Sequence, residues 1–148
     1  MSHNMGSAHI IEWESQHMGK IKEIMQTGND NPVANKNCCF RDVLEIMDSK
    51  NLGAVNIVDG ETLIGIITDG DVRRLLLKTQ DTLPDVFMKN VTTIMMKNPK
   101  AIQPNASFQE CLEKIEKYCF WVLPVTDDNN RLLGIVHLHT LLKAMVEE

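Results

Sequence analysis

The chain predicts a mixed α/β (α+β) fold made of two βαββα repeats related by pseudo-two-fold symmetry. Three observations carry that expectation. Ile24-Met25 recurs as Ile94-Met95. The helical stripe Phe40, Val43, Leu44 and Met47 recurs as Phe108, Cys111, Leu112 and Ile115, each at i, i+3, i+4, i+7 spacing. The run Gly65-Ile66-Ile67-Thr68-Asp69-Gly70-Asp71 ahead of one helix returns as Gly134-Ile135-Val136-His137-Leu138-His139-Thr140 ahead of another. A repeat of this size is one supersecondary unit that buries its apolar face against its copy.

Taken in order, the first elements are short strands around Pro32-Val33-Ala34 and Lys100-Ala101-Ile102. The two striped helices follow. Ser107-Phe108-Gln109-Glu110 opens the second with a capping-box pattern, whose reciprocal hydrogen bonds satisfy free helix N–H groups. No such box is evident before Phe40. Next come hairpins: Ala54–Val58 and Leu63–Ile67 around Asp59-Gly60-Glu61-Thr62, and Trp121–Val125 and Leu132–Val136 around Asp127-Asp128-Asn129-Asn130. Apolar β-branched runs separated by turn formers read as paired strands. Each half closes with a helix, Val72, Leu75 and Leu76 registering with Leu141, Ala144 and Met145. The predicted organisation is repeat 1 over 19–80, a connector over 81–90 and repeat 2 over 91–148. Each half is small for an independent core, so the two pack as one domain. Residues 1–18 stand outside the repeat and read as a tag or disordered linker, and their histidines are not ligands.

At 148 residues the chain has the length of one domain, and no apolar run is long enough to span a membrane. With 15 Lys and Arg against 20 Asp and Glu, and no basic cluster, nucleic acid is excluded as a partner. The cysteines Cys38, Cys39, Cys111 and Cys119 form no CxxC pair; they read as reduced, mostly buried thiols of a cytoplasmic protein, without a zinc site. Trp121 reads as a core or dimer-face residue, and the nine methionines as flexible core filler.

Candidate binding chemistry gathers at Thr68, Asp69 and Asp71. A hydroxyl and free helix N–H groups suit a phosphate, and a carboxylate accepts from ribose hydroxyls. Asp69 or Asp71 capping a helix that begins near Val72 is the plainer alternative. Arg73 and Arg74 oppose the helix dipole; a bound anion would explain them, and so would solvated pairing with Asp69 and Asp71. His137 and His139, two apart, fall on one side of an extended segment; a metal site there lacks further ligands, and a polar strand end at the surface is the plainer alternative. Thr27 and Gly28 open a polar loop. No nucleophile and base, and no paired carboxylates, are set out for catalysis.

Two halves with Ile-Met openings, hairpins and Gly-x-x-Thr-x-x-Asp before the last helix resemble a tandem CBS-domain pair, over roughly residues 19–147. Ile24–Gly28, Thr68–Arg74, Met96–Lys100 and Gly134–Leu142 together resemble the C-terminal regulatory module of bacterial D-arabinose-5-phosphate isomerases, enzymes acting early in Kdo and lipopolysaccharide synthesis. The sugar-isomerase domain of that family has no counterpart in this sequence. The resemblance therefore implies a regulatory, non-catalytic nucleotide sensor that joins an upstream sugar-isomerase domain in a parent protein or stands free. It implies no resident cofactor and a ligand that is CMP-Kdo or an adenosine nucleotide. The contacts would be Thr27, Thr68, Asp69, Asp71, Arg73, Arg74, His137 and His139. A homodimer is implied whether or not a ligand binds, and a ligand-free dimerisation module is the alternative.

Overall fold

The computed structural model describes residues 19–147. The tag or linker expected over residues 1–18 lies outside the described residues. A first sheet has the order β1-β2-β3-β4, with β1 Val33–Asn35, β2 Ala54–Asp59, β3 Thr62–Thr68 and β4 Met96–Lys97. β1 runs parallel to β2, and the other neighbours are antiparallel. The second sheet pairs β5, Val122–Thr126, with β6, Leu132–His137. Single bridges complete it: Ile102 lies parallel to Val125, and Gln26 lies antiparallel to Ile135. The second sheet therefore repeats the first, with its outer strands reduced to one bridge each.

Helices α1, Phe40–Lys50, and α4, Phe108–Tyr118, are the striped helices of the sequence. Phe40 and Phe108 begin them and are fully or almost fully buried. Burying such a side chain contributes roughly 1.5–3 kcal/mol, so each anchors the start of its helix in the interior. Ser107 caps α4, accepting from the Glu110 N–H at 3.1 Å, the first half of the box its motif predicts; the return bond from the Ser107 N–H to Glu110 is not made. α1 is capped too, against expectation. The Asp42 carboxylate accepts from the Cys39 N–H at 3.0 Å, a box that begins with cysteine in place of the usual hydroxyl. Both helices end on a left-handed residue, Asn51 and Cys119. The connector holds a short helix, α3, Leu83–Phe87, capped by Thr82 and pinned by buried Val86.

The two repeats exchange their opening segments. Ile21, Ile24 and Met25 pack into the second repeat's core with Phe108, Cys111, Leu123 and Leu141. Val91, Ile94 and Met95 pack into the first repeat's core with Val43, Val55 and Ile67. Two glycines make room for the exchange. A Cβ on Gly65 would lie 2.2 Å from Met95 Sδ, and one on Gly134 would lie 2.7 Å from the Gln26 carbonyl. Neither half completes its core alone, which is the physical reason for a single domain. Ala54 and Ile66 meet Val122 and Ile135 between the sheets. At the hairpin tips Leu63 N–H donates to Asn130 O, and Leu132 N–H donates to Glu61 O.

The closing helices are α2, Asp69–Lys78, and α5, Leu138–Glu147. They are the least covered part of the fold. α2 has no buried residue and α5 buries only Leu141, while Leu76, Leu77, Leu142 and Val146 are exposed.

Candidate nucleotide cleft

The starts of α2 and α5 converge on one side of the contact between the sheets. The turn from β3 into α2 differs from the sequence reading in a way that matters for the site. Thr68 is itself the N-cap, so the helix begins at Asp69 and not near Val72. Thr68 N–H and Oγ1 donate to Asp71 Oδ2 at 2.9 and 3.0 Å, and Thr68 Oγ1 accepts from the Asp71 N–H at 3.4 Å. Thr68 is thus the cap, in place of Asp69 or Asp71. With the Asp71 N–H held by Thr68 Oγ1 and the Asp69 N–H held by Gly53 O, the first turn keeps the Gly70 N–H as its donor for an anion.

Arg74 Nη2 donates to Asp71 Oδ1 at 2.8 Å, and its guanidinium folds back over Gly70. The self-pairing alternative for the arginines therefore holds for Arg74. Arg73 makes no ion pair among the described residues and projects from the same turn into the cleft. Asp69 also lines the cleft. Its N–H donates to Gly53 O at 3.0 Å, and its carboxylate lies so close to Gly53 that a Cβ there would meet Asp69 Oδ2 at 2.4 Å.

His137 ends β6 at the place Thr68 holds in β3. Its Nδ1 accepts from the His139 N–H at 2.9 Å, so the ring serves the start of α5 as the threonine serves α2. Burial lowers the His137 pKa, and the neighbouring His139 charge lowers it further. The ring is therefore neutral at pH 7, with Nε2–H free to donate. His139 is helical and exposed, so the two imidazoles do not form the extended pair that their spacing predicts. Among the described residues no group of three His, Cys, Asp or Glu side chains is placed to hold a metal ion.

A cleft of about 540 Å³ is lined by Thr68, Asp69, Arg73, Arg74 and His137, a size typical of small-ligand sites. It does not bring in every expected residue. Asp71 stays behind its cap, its side chain 13% exposed. His139 and Thr27 do not line the cleft. Thr27 stands at the N-cap position of the turn Gly28–Asp30, without a capping bond from its side chain, beside a shallower depression that contains Gly28 and Asn31.

The cleft also holds residues that the sequence reading missed: Lys100, Met96, Phe120 and Trp121. Lys100 Nζ sits 5.2 Å from the Tyr118 ring centroid, and that ring stacks on Phe120 at 5.7 Å, so a cation–π contact holds the ammonium near the cleft wall. Of the two places read for Trp121, the core is ruled out: the side chain is 71% exposed at the cleft. β5 is buried along its whole length, on both faces, so the exposure of Trp121 comes from its place one residue before the strand begins, at the end of the sheet. Cys119, expected to be buried, is exposed at the same rim because its left-handed backbone ends α4 there. The missed signal was positional. Phe120-Trp121 precedes β5 as Leu52-Gly53 precedes β2, so the repeat itself marks both pairs as neighbours of the helix starts.

The family model for the CBS domain matches residues 21–78 and again 91–147. Arabinose 5-phosphate isomerase KdsD of Francisella tularensis is 36% identical over 125 residues, covering 84% of this chain. The chain spans only 37% of that protein's length. CBSX2, a protein of Arabidopsis thaliana solved in complex with AMP, superimposes with a TM-score of 0.75 at 21% identity, covering 86% of this chain and 96% of its own. The CBS domain pair of protein MJ0100, solved with 5′-methylthioadenosine and S-adenosyl-L-methionine, superimposes with the same TM-score of 0.75 at 24% identity, covering 88% and 98%.

Proposed function

The chain belongs to the CBS-domain family, and from that premise we propose that it is a regulatory module that senses a nucleotide in the cleft between its repeats. One observation carries the reading: the cleft joins a capped helix start and uncommitted cations to an apolar, partly aromatic wall. A phosphate suits the first turn of α2 and Arg73, and Lys100 adds a second positive charge. Asp69 offers a carboxylate to ribose hydroxyls, and Asp71 Oδ1 retains acceptor capacity beside Arg74. Phe120, Trp121 and Met96 form the apolar wall.

The likeness to an arabinose 5-phosphate isomerase supports a finer proposal. In it the module regulates an isomerase of Kdo and lipopolysaccharide synthesis, cytoplasmic in location, and its ligand is CMP-Kdo, a product further along the same chemistry. CMP-Kdo has a phosphate and ribose for the α2 turn and a sugar carboxylate for Lys100, Arg73 or the His137 Nε2–H. A plain nucleotide leaves part of that charge unused. The second reading is an adenosine nucleotide, favoured by the AMP and S-adenosyl-L-methionine complexes of CBSX2 and MJ0100. The module senses and does not catalyse, and isomerase turnover by this chain alone would overturn that assignment.

Calorimetry with CMP-Kdo, CMP, AMP and ATP tests the reading. We expect CMP-Kdo to bind more tightly than CMP. Equal affinities remove the sugar-acid part, tighter AMP favours the second reading, and no binding by any of them leaves a dimerisation module. Homodimerisation through the exposed leucines of α2 and α5 belongs to the same proposal. A monomer by light scattering at about tens of micromolar, where weak interfaces dissociate, would remove it.

A further inference from the structure

We propose that Trp121 is the platform on which the nucleotide's base stacks, and that it sets the affinity of the cleft for ligands carrying a planar heterocycle. The inference rests on the nucleotide reading above and starts from a comparison inside the molecule. Gly53 and Trp121 hold the same place in the two repeats, each one residue before the central hairpin begins. Their backbones do the same work. Gly53 O accepts from the Asp69 N–H at 3.0 Å, and Trp121 O accepts from the Leu138 N–H at 2.8 Å, each carbonyl tying a helix start to its sheet. That work needs only a peptide group, so it does not account for an indole.

Packing does not account for the indole either. Trp121 leaves 71% of its surface exposed, where burial would have stabilised a large aromatic most. Its backbone is nevertheless held firmly, between the left-handed end of α4 at Cys119 and the pairing of Val122 with His137. An exposed ring on a fixed backbone loses little entropy when a flat partner covers it. The cleft that the ring borders holds Thr68 and Arg73 for the phosphorylated sugar. The partner that fits is thus the part of a nucleotide that those groups leave unbound, its base. Stacking is tolerant of base identity, because every base has a π-face. Cytosine and adenine compounds should both gain from it.

The test compares the full chain with Trp121→Ala and Trp121→Phe, using CMP, AMP and ribose 5-phosphate as probes in calorimetry. Ribose 5-phosphate keeps the sugar and phosphate and lacks a base. We expect Trp121→Ala to weaken CMP and AMP by about 5- to 100-fold, the range of single base–aromatic stacks. Ribose 5-phosphate should be unchanged, and Trp121→Phe should recover most of the loss. In a Trp13→Phe background, CMP should quench the remaining tryptophan fluorescence. Because the ring is exposed, the variants should keep the wild-type circular dichroism and melting temperature. Wild-type affinity for CMP and AMP in Trp121→Ala overturns the platform and leaves the nucleotide reading standing. An equal loss for ribose 5-phosphate also overturns it, since the damage is then general to the cleft. Loss of the dimer by light scattering with unchanged nucleotide affinity would assign the ring to an interface between copies instead. Failure of all probes with the wild-type chain brings down the nucleotide reading itself.

Discussion

Replacing Thr68 and Asp71 singly and together separates capping from ligand binding at the start of α2. Thr68 N–H and Oγ1 both reach Asp71 Oδ2, at 2.9 and 3.0 Å, and the Asp71 N–H returns to Thr68 Oγ1 at 3.4 Å. Losing an N-cap hydroxyl or its carboxylate partner costs about 0.5–2 kcal/mol, so we expect each single alanine variant to lose about 1 kcal/mol. The two side chains share the same bonds, so the double variant should lose less than the sum. The coupling should be about 0.5–1 kcal/mol. Arg74 contributes little to this total: its pair with Asp71 is half exposed, and such pairs contribute at most about 1 kcal/mol. Urea denaturation measures these differences, and at this chain length each kcal/mol moves the melting temperature by roughly 2–4 °C. Additive losses would refute the shared capping box. Calorimetry on the same variants isolates the ligand contribution. If Asp71 also accepts from ribose, Asp71→Ala should lose affinity beyond Thr68→Ala, by about 1–3 kcal/mol for a charged hydrogen bond.

Gly134→Ala should destabilise the fold more than Gly65→Ala, by about 1–3 kcal/mol in urea. Its Cβ would meet the Gln26 backbone at 2.7 Å, whereas that of Gly65 meets the flexible Met95 side chain; equal costs would argue against the exchanged opening segments. Stability should fall as pH drops from 6.5 towards the lowered pKa of His137, because the unfolded chain takes up a proton that the folded chain refuses. His137→Asn keeps a capping acceptor and should flatten that interval of the curve; an unchanged slope would assign the effect elsewhere. A thiol reagent at pH 8 should label exposed Cys119 first. Cys111, buried with a pKa pushed up to about 12, should stay unlabelled until urea unfolds the chain; early labelling of Cys111 would contradict the packing of α4.

The repeat, the striped helices, the hairpins and the loops bearing Thr68 and His137 were all legible in the sequence. Each rests on local periodicity and turn chemistry, which neighbouring residues specify by themselves. Several local details escaped that reading because more than one residue type does the same job. Cys39 stands where a hydroxyl is usual, with Asp42 supplying the reciprocal bond, and Thr68 caps α2 one turn earlier than its acids indicated.

The contents of the cleft were a different matter. Thr68, Lys100, Trp121 and His137 come from four segments, and they meet only because the two sheets face each other across Ala54, Ile66, Val122 and Ile135. Whether Trp121 enters a core or borders a cleft depends on what packs over the end of β5, a strand buried on both faces, and its own sequence neighbourhood is apolar either way. The exchange of Ile24-Met25 and Ile94-Met95 was likewise invisible in the repeat, since each segment suits either half. Packing against Gly134 and Gly65 decides it. Sequence alone determined the repeating elements, because hydrogen bonding and apolar periodicity act over a few residues. Only the tertiary structure decided which residues share the cleft, because that depends on burial between surfaces far apart along the chain.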